Sequence, residues 1–116
     1  MDIDRLYKTI DDMDADKFVA FLDENAKFKF GNAPVVQGKE AIKKAVADFF
    51  STIKGISHNL LNTWIIDKSI ITQGEATYTR KDDKAVTIPF VNIFSMDNDL
   101  IEDYLIYIDI APLYAA

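Results

Sequence analysis

The chain has 116 residues, of which 49% are hydrophobic, and it carries 19 acidic against 13 basic side chains for a formal net charge of −6 at pH 7. A single domain spanning residues 1–116 buries roughly two thirds of its unfolded surface, so it can fold without disulfides or structural metal. The acidic balance disfavours nucleic acid and anionic membranes as partners, because both bind proteins through their phosphates.

Targeting and redox signals are weak. The chain lacks cysteine, which excludes disulfide frameworks and thiol catalysis. Its first residues include several charges and do not form the basic segment and following apolar run of a signal peptide. No apolar run is long enough to cross a bilayer. We therefore expect a cytoplasmic protein.

The N-terminal third predicts two short helices and a strand. Apolar residues at helical spacing predict a first helix over 3–13, with Asp2 at its amino end. Asp14 is a suitable N-cap for a second helix that carries Phe18, Phe21 and Leu22. A brief strand over 26–30 and a turn over 31–34 follow.

The clearest helix begins after Gly38. Its apolar positions recur at offsets of three, four, seven, eight and eleven, at Ile42, Ala45, Val46, Phe49, Phe50 and Ile53. Gly55 lies just beyond, where a C-cap is expected. This helix has the largest apolar face to lay on a sheet.

Four strands complete the chain. They are predicted over 56–66, over 69–81 and, joined by polar turns, in two further stretches up to residue 109. The last strand has apolar side chains on both of its faces, so both faces of the sheet are expected to be covered, one by helices and the other by a second copy of the chain.

Helices on one face of an antiparallel sheet define an α+β domain. We expect a cone-shaped, strongly curved, mostly antiparallel sheet wrapped around the long helix, with two short N-terminal helices and an apolar interior suited to a small ligand.

Several segments, in this order and spacing, carry a resemblance that covers nearly the whole chain: Asp14-x-Asp16-x-Phe18, Asn32-x-Pro34 followed by Gly38 and Ala41-Ile42, Glu75 to Arg80, Ile88-Pro89-Phe90-x-Asn92-x-Phe94, and Tyr104 with Tyr107 to Leu113. The chain resembles a SnoaL-like member of the nuclear-transport-factor-2-like superfamily. The resemblance implies a cone-shaped α+β fold, commonly dimeric through the outer sheet face. Relatives include ketosteroid isomerases, limonene-epoxide hydrolases and polyketide cyclases.

The catalytic residues of those relatives are not all present at the matching positions of this chain. The position of the isomerase base, and of a hydrolase tyrosine, falls on Phe30. The isomerase tyrosine on the first helix falls on Leu6, with Tyr7 one place away and about 100° around the helix. Only Asn32 matches the hydrolase asparagine.

The same correspondence directs Glu75 and Thr77 into the cone and Ala76, Tyr78 and Arg80 outward. Glu75 is then the sharpest candidate for a general acid or base, because desolvation favours the neutral form of a buried carboxyl. Its alternative role is to bond Asn92, Thr77 or water and satisfy the interior. The expected arrangement has Glu75, Thr77 and Asn92 converging in a hollow.

His58 is the only histidine, so a multi-histidine metal site is excluded. It is either a packed or interface residue or a second catalytic candidate that pairs with Glu75 or Asp109. Trp64 is either a pocket wall or a core residue, and Asn92 either orients a ligand or clamps the fold. The predicted ligand-binding residues are Phe30, Asn32, Trp64, Thr77, Ile88, Phe90, Asn92, Tyr104 and Ile106.

Three functions compete. The first is acid-base chemistry on a small apolar molecule without metal or cofactor, of an isomerase, cyclase or hydrolase type. The second is binding of such a molecule without turnover. The third is a dimeric interaction domain with a vestigial pocket.

Overall fold

A computed structural model describes residues 1–115. Its helices and strands are, in chain order, α1 (Ile3–Asp11), α2 (Ala15–Phe18), β1 (Leu22–Phe30), β2 (Val36–Gln37), α3 (Lys39–Phe50), β3 (Ile53–Ile66), β4 (Ser69–Arg80), β5 (Ala85–Asp97) and β6 (Leu100–Ile108). The strands form one six-stranded sheet in the order β2-β1-β6-β5-β4-β3. β1 and β6 run parallel and the other neighbours antiparallel. The predicted α+β class and the C-terminal meander are confirmed.

Both N-terminal helices begin at the predicted aspartates. The Asp2 and Asp14 side chains accept the backbone N–H groups of Arg5 and Lys17 at 3.1 and 3.0 Å, as N-caps do. The second helix is shorter than predicted, because a 3-10 turn replaces it at Val19–Phe21. Leu22 then pairs with Ile101 as the first residue of β1.

The central helix, α3, has twelve residues and is about 18 Å long. It ends before the predicted Ile53, which starts β3, because the hydroxyls of Ser51 and Thr52 each donate to a carbonyl of the last turn at 2.6 Å. Its apolar face, with Ile42, Val46 and Phe50 buried, lies against the sheet. The helix is thus less extended than the sequence predicts, while its packed face is as expected.

A bulge in β3 changes which side chains of its second half point to each face of the sheet. Leu60 pairs with Gly74, but the next paired residue is Asn62 with Gln73, so Leu61 is an extra residue. A Cβ on Gly74 would lie 2.2 Å from the Asn59 carbonyl oxygen, so the close approach requires glycine. Beyond the bulge the strand's alternation is shifted by one residue.

The core lies on the concave side of the sheet, beneath α1, α2 and α3. It combines aromatic and aliphatic side chains from every layer, among them Leu6, Phe18, Leu22, Ile42, Phe94, Ile101 and Tyr104. Within residues 1–115, no helix is both long and apolar enough to cross a membrane.

Candidate functional site

A cavity of about 280 Å³ lies between α3 and the concave face of the sheet. Its wall is almost wholly apolar and includes Phe28, Phe30, Phe49, Phe50, Ile56, Ala76, Phe90, Tyr104, Ile106 and Ile108. Ala33, Pro34 and Tyr114 also line it and are exposed, so they mark its mouth. Apolar concave sites with a few polar groups are the usual form of small-molecule pockets.

The side chains that the strands contribute to this wall come from alternate residues, which share one face of the sheet. In β5, Phe90 and Asn92 face inward, and their partners on β6 are Ile108 and Ile106. Alternate residues of a strand point to opposite faces, so the residues between them lie on the outer face of the sheet.

Asn92 is the first polar group of the cavity wall and is only 3% exposed. Its Nδ2 donates to the Tyr7 hydroxyl at 2.7 Å, and that hydroxyl lies 2.6 Å from Thr72 Oγ1. The chain of bonds is complete when Tyr7 donates to Thr72. Asn92 Oδ1 is buried and has no hydrogen-bond partner among the described residues.

His58 is the second polar group of the wall. Its Nδ1 lies 2.6 Å from Asp11 Oδ1, and its backbone N–H donates to Asp11 Oδ2 at 3.1 Å. Its ring packs against those of Tyr7 and Phe90, with centroid distances of 4.9 and 5.3 Å. When the ring is neutral and the carboxylate accepts from Nδ1–H, Nε2 is an acceptor. No described residue bonds Nε2.

Three buried tyrosines line or adjoin the cavity as neutral groups. Burial raises the pKa of Tyr7 to about 12, against the opposing effect of its bonds to Thr72 and Asn92. Burial also raises the pKa of Tyr78 and of Tyr104 well above the usual value. Each therefore keeps its hydroxyl proton at neutral pH.

Six of the residues singled out from the sequence lie on the cavity wall, namely Phe30, His58, Phe90, Asn92, Tyr104 and Ile106. They come from β1, β3, β5 and β6. His58 bonds Asp11 of α1 rather than the expected Glu75 or Asp109.

The expected convergence of Glu75 and Thr77 with Asn92 is wrong. Glu75 is exposed on the outer face, and Thr77 lies on that face with its hydroxyl 2.9 Å from that of Thr87. In β4 the side chains that point inward and are buried are instead those at the alternate positions, such as Ala76 and Tyr78. A one-residue error in register exchanges the two faces of a strand, and the assumed correspondence contained that error.

Three further expectations are corrected. Trp64 is 47% exposed and pairs with Ile71 on the outer face, because the bulge at Leu61 shifts its parity. Asn32 is exposed in the turn after β1, next to the mouth rather than in the wall. Ile88 is 3% exposed and belongs to the core, outside the cavity lining.

The sequence reasoning missed Tyr7 and Asp11 as site residues. A signal was present, because residues four apart on a helix share a face, and α1 turns both toward the sheet, Asp11 to His58 and Tyr7 to Asn92. An ungapped comparison had instead favoured Leu6, which is fully buried. Within residues 1–115, no three histidine, aspartate or glutamate side chains cluster as metal ligands.

Solved structures show that the fold is nuclear-transport-factor-2-like. An NTF2-like protein of unknown function from Burkholderia pseudomallei superposes with a TM-score of 0.87 at 13% identity, covering 96% of this chain and 90% of that one. An LEH-like epoxide hydrolase from M. tuberculosis superposes with a TM-score of 0.80 at 12% identity, covering 97% and 83%. A hypothetical protein with a ketosteroid isomerase-like fold from Catenulispora acidiphila, in complex with trimethylamine, superposes with a TM-score of 0.83 at 8% identity, covering 90% of this chain and 82% of that one. These likenesses establish the fold alone.

The sequence itself shows the family. The profile of the SnoaL-like domain matches residues 3–104, so the chain belongs to the SnoaL-like domain family. No curated protein matches the sequence.

Proposed function

We propose that this protein binds a small, largely apolar molecule in its cavity and moves a proton on it through His58, without a metal or cofactor. The observation that carries the proposal is the His58–Asp11 pair in the wall of an apolar cavity, with Nδ1 bonded at 2.6 Å. The structural neighbours of this family include isomerase-like and hydrolase-like proteins, which agrees with a pocket-based function.

His58 is arranged as a general base. Asp11 accepts from the backbone N–H of His58 through Oδ2 and from the ring through Oδ1, and the bond to the ring fixes its orientation. In the neutral ring this bond keeps the proton on Nδ1, so Nε2 holds the lone pair. When Nε2 takes a proton, the Asp11 carboxylate stabilises the imidazolium that forms. The apolar wall lowers the local dielectric and so strengthens that stabilisation.

The experiment uses 5-nitrobenzisoxazole, a flat and uncharged probe of base catalysis. A base removes the proton from its ring carbon, the electrons of that C–H bond form the nitrile, and the N–O bond breaks to leave a phenolate. We expect a saturable rate that His58→Gln reduces by about 10²-fold or more, within the usual range for one general base. Asp11→Asn should lower kcat with little change in KM, because it disturbs His58 and not the cavity. An undiminished rate in His58→Gln would overturn the assignment.

Binding without turnover is the second candidate. One observation favours it: apart from His58, the described cavity wall contains no carboxylate, lysine or arginine to act as a partner acid or base. Saturable binding of the probe with no His58-dependent rate would select this function.

We also propose that the protein forms a homodimer through the outer face of its sheet. A row of apolar side chains crosses four strands there, formed by Trp64, Ile71, Ile93 and Leu105 in register. Tyr107 and Trp64 are 58% and 47% exposed, which is unusual for large aromatic groups on a sheet. A row that spans the sheet can pack on its own copy across a two-fold axis, as isologous interfaces do.

A further inference from the structure

The polar end of the cavity carries an unfilled hydrogen-bond acceptor. Asn92 is only 3% exposed, and its Nδ2 donates to Tyr7, yet Oδ1 has no partner among residues 1–115. Buried polar atoms in folded proteins are nearly always bonded, and leaving one unpaired destabilises the protein. Because Asn92 lines the cavity, the cavity's occupant can supply the missing donor.

Tyr7 does not supply the missing donor. Its oxygen accepts from Asn92 Nδ2, and its single hydroxyl proton is used in the bond to Thr72 when Tyr7 is the donor of that bond. In the observed orientation of the amide, Nδ2 is bonded and Oδ1 is not. With the amide rotated, Thr72 would donate to Tyr7 and Tyr7 to Oδ1, so Nδ2 would be unpaired and the cavity would prefer a ligand with an acceptor.

The charge of the cavity also restricts its occupant. The described lining contains no aspartate, glutamate, lysine or arginine, and the Asp11 carboxylate lies behind His58, outside the lining. An ionised ligand would lose its hydration without gaining a counter-charge, which is costly in an apolar site. The volume of about 280 Å³ lies at the small end of ligand pockets.

We infer that the occupant is an uncharged, mostly apolar molecule that carries a hydroxyl or N–H group, and that this group donates its hydrogen bond to Asn92 Oδ1. The inference rests on the proposed function, because it specifies the ligand of the same cavity. The site is thus selective for a donor on the ligand, and His58 Nε2 adds a second acceptor in the same wall.

The test compares ligands that share one ring system and differ in a single substituent. We would measure the Kd of 2-naphthol, 2-fluoronaphthalene and 2-naphthoate by calorimetry. We expect 2-naphthol to bind about tenfold more tightly than 2-fluoronaphthalene, as one additional buried hydrogen bond provides. The charged 2-naphthoate should bind more weakly than 2-naphthol.

The Asn92→Leu variant identifies the acceptor. Leucine has a similar size and no polar atom, so the preference for 2-naphthol over 2-fluoronaphthalene should disappear. Indole and benzofuran, which differ by an N–H against an oxygen, give the same comparison in the unmodified protein and do not depend on that variant folding.

Each outcome bears on a different claim. Equal affinities for the paired ligands in the unmodified protein would overturn the inference and leave the proposed binding function standing. A preference retained in Asn92→Leu would overturn the assignment to Asn92. Tighter binding of 2-naphthoate would contradict an uncharged ligand, and failure of all five compounds to bind would count against the proposed function itself.

Discussion

The Asp11 carboxylate holds His58 by two atoms at once, with Oδ1 at 2.6 Å from Nδ1 and Oδ2 at 3.1 Å from the backbone nitrogen. The contact joins the end of α1 to β3 across 47 residues of sequence. It therefore has a structural role as well as the proposed chemical one.

Replacing Asp11 by alanine should lower the free energy of unfolding by about 1–3 kcal/mol, because two donors of His58 lose their acceptor. Urea denaturation at pH 7 measures the change. Asp12→Ala is the matched control. The Asp12 carboxylate forms an exposed ion pair with Lys8 at 3.3 Å, so its removal should lower the free energy of unfolding by less than about 0.5 kcal/mol. Equal losses in the two variants would contradict a structural role for the His58 contact.

Stability should fall at alkaline pH as the buried tyrosines ionise. The pKa of Tyr7 is about 12 in the folded protein against 10.0 for an exposed tyrosine. The neutral hydroxyl therefore stabilises the fold fully below pH 10, and this contribution, on the order of 2 kcal/mol, is lost as the pH rises from 10 to 12.

The Tyr7→Phe variant tests this dependence. It should be less stable at pH 8, because Asn92 and Thr72 lose a partner, but its unfolding free energy should decline less steeply between pH 10 and 12. Urea titrations at four pH values give the slopes. Parallel slopes in the variant and the unmodified protein would show that Tyr7 does not contribute to the alkaline loss.

Gly74 should tolerate no side chain. A Cβ there would lie 2.2 Å from the backbone oxygen of Asn59, so Gly74→Ala must displace the bulged strand. We expect a loss of at least about 3 kcal/mol in unfolding free energy, a value typical of severe steric substitutions. Gly55→Ala is the control, because its Cβ would be no closer than 3.8 Å to Thr79. A mild effect at Gly74 would mean that β3 can shift without loss.

The proposed dimer predicts that Trp64→Glu produces a monomer. A charge in the centre of an apolar interface would be buried without a partner, so association should weaken by at least tenfold. Sedimentation equilibrium at micromolar concentration measures the mass. Val35→Glu, at an exposed position near the cavity mouth, should remain dimeric. A monomeric unmodified protein would refute the interface.

The fold was predictable because its signals are local. Asp2 and Asp14 mark helix starts by side-chain caps, and the apolar spacing from Ile42 to Phe50 marks the face that α3 buries. Polar turns separate the strands of the meander. None of these features depends on distant parts of the chain.

The site was harder to predict because strand parity depends on pairing. The bulge that turns Trp64 outward is visible only when β3 lies against Gly74, and the outward direction of Glu75 follows from the register of β4. The link from Asp11 to His58 spans two elements whose packing angle no local pattern specifies. Phe90 and Asn92, which lie in a strand with regular alternation, were placed correctly.

The most direct test of the central claim follows isoleucine methyl groups by NMR while 2-naphthol is added. Binding in the cavity should shift Ile56, Ile106 and Ile108, together with the His58 ring, and leave Ile71 and Ile93 on the outer face unchanged. Ala45→Leu, which fills the cavity from α3, should weaken these shifts, whereas Ala47→Leu on the exposed side of the helix should not. Shifts confined to the outer face, or unaffected by Ala45→Leu, would contradict a functional cavity.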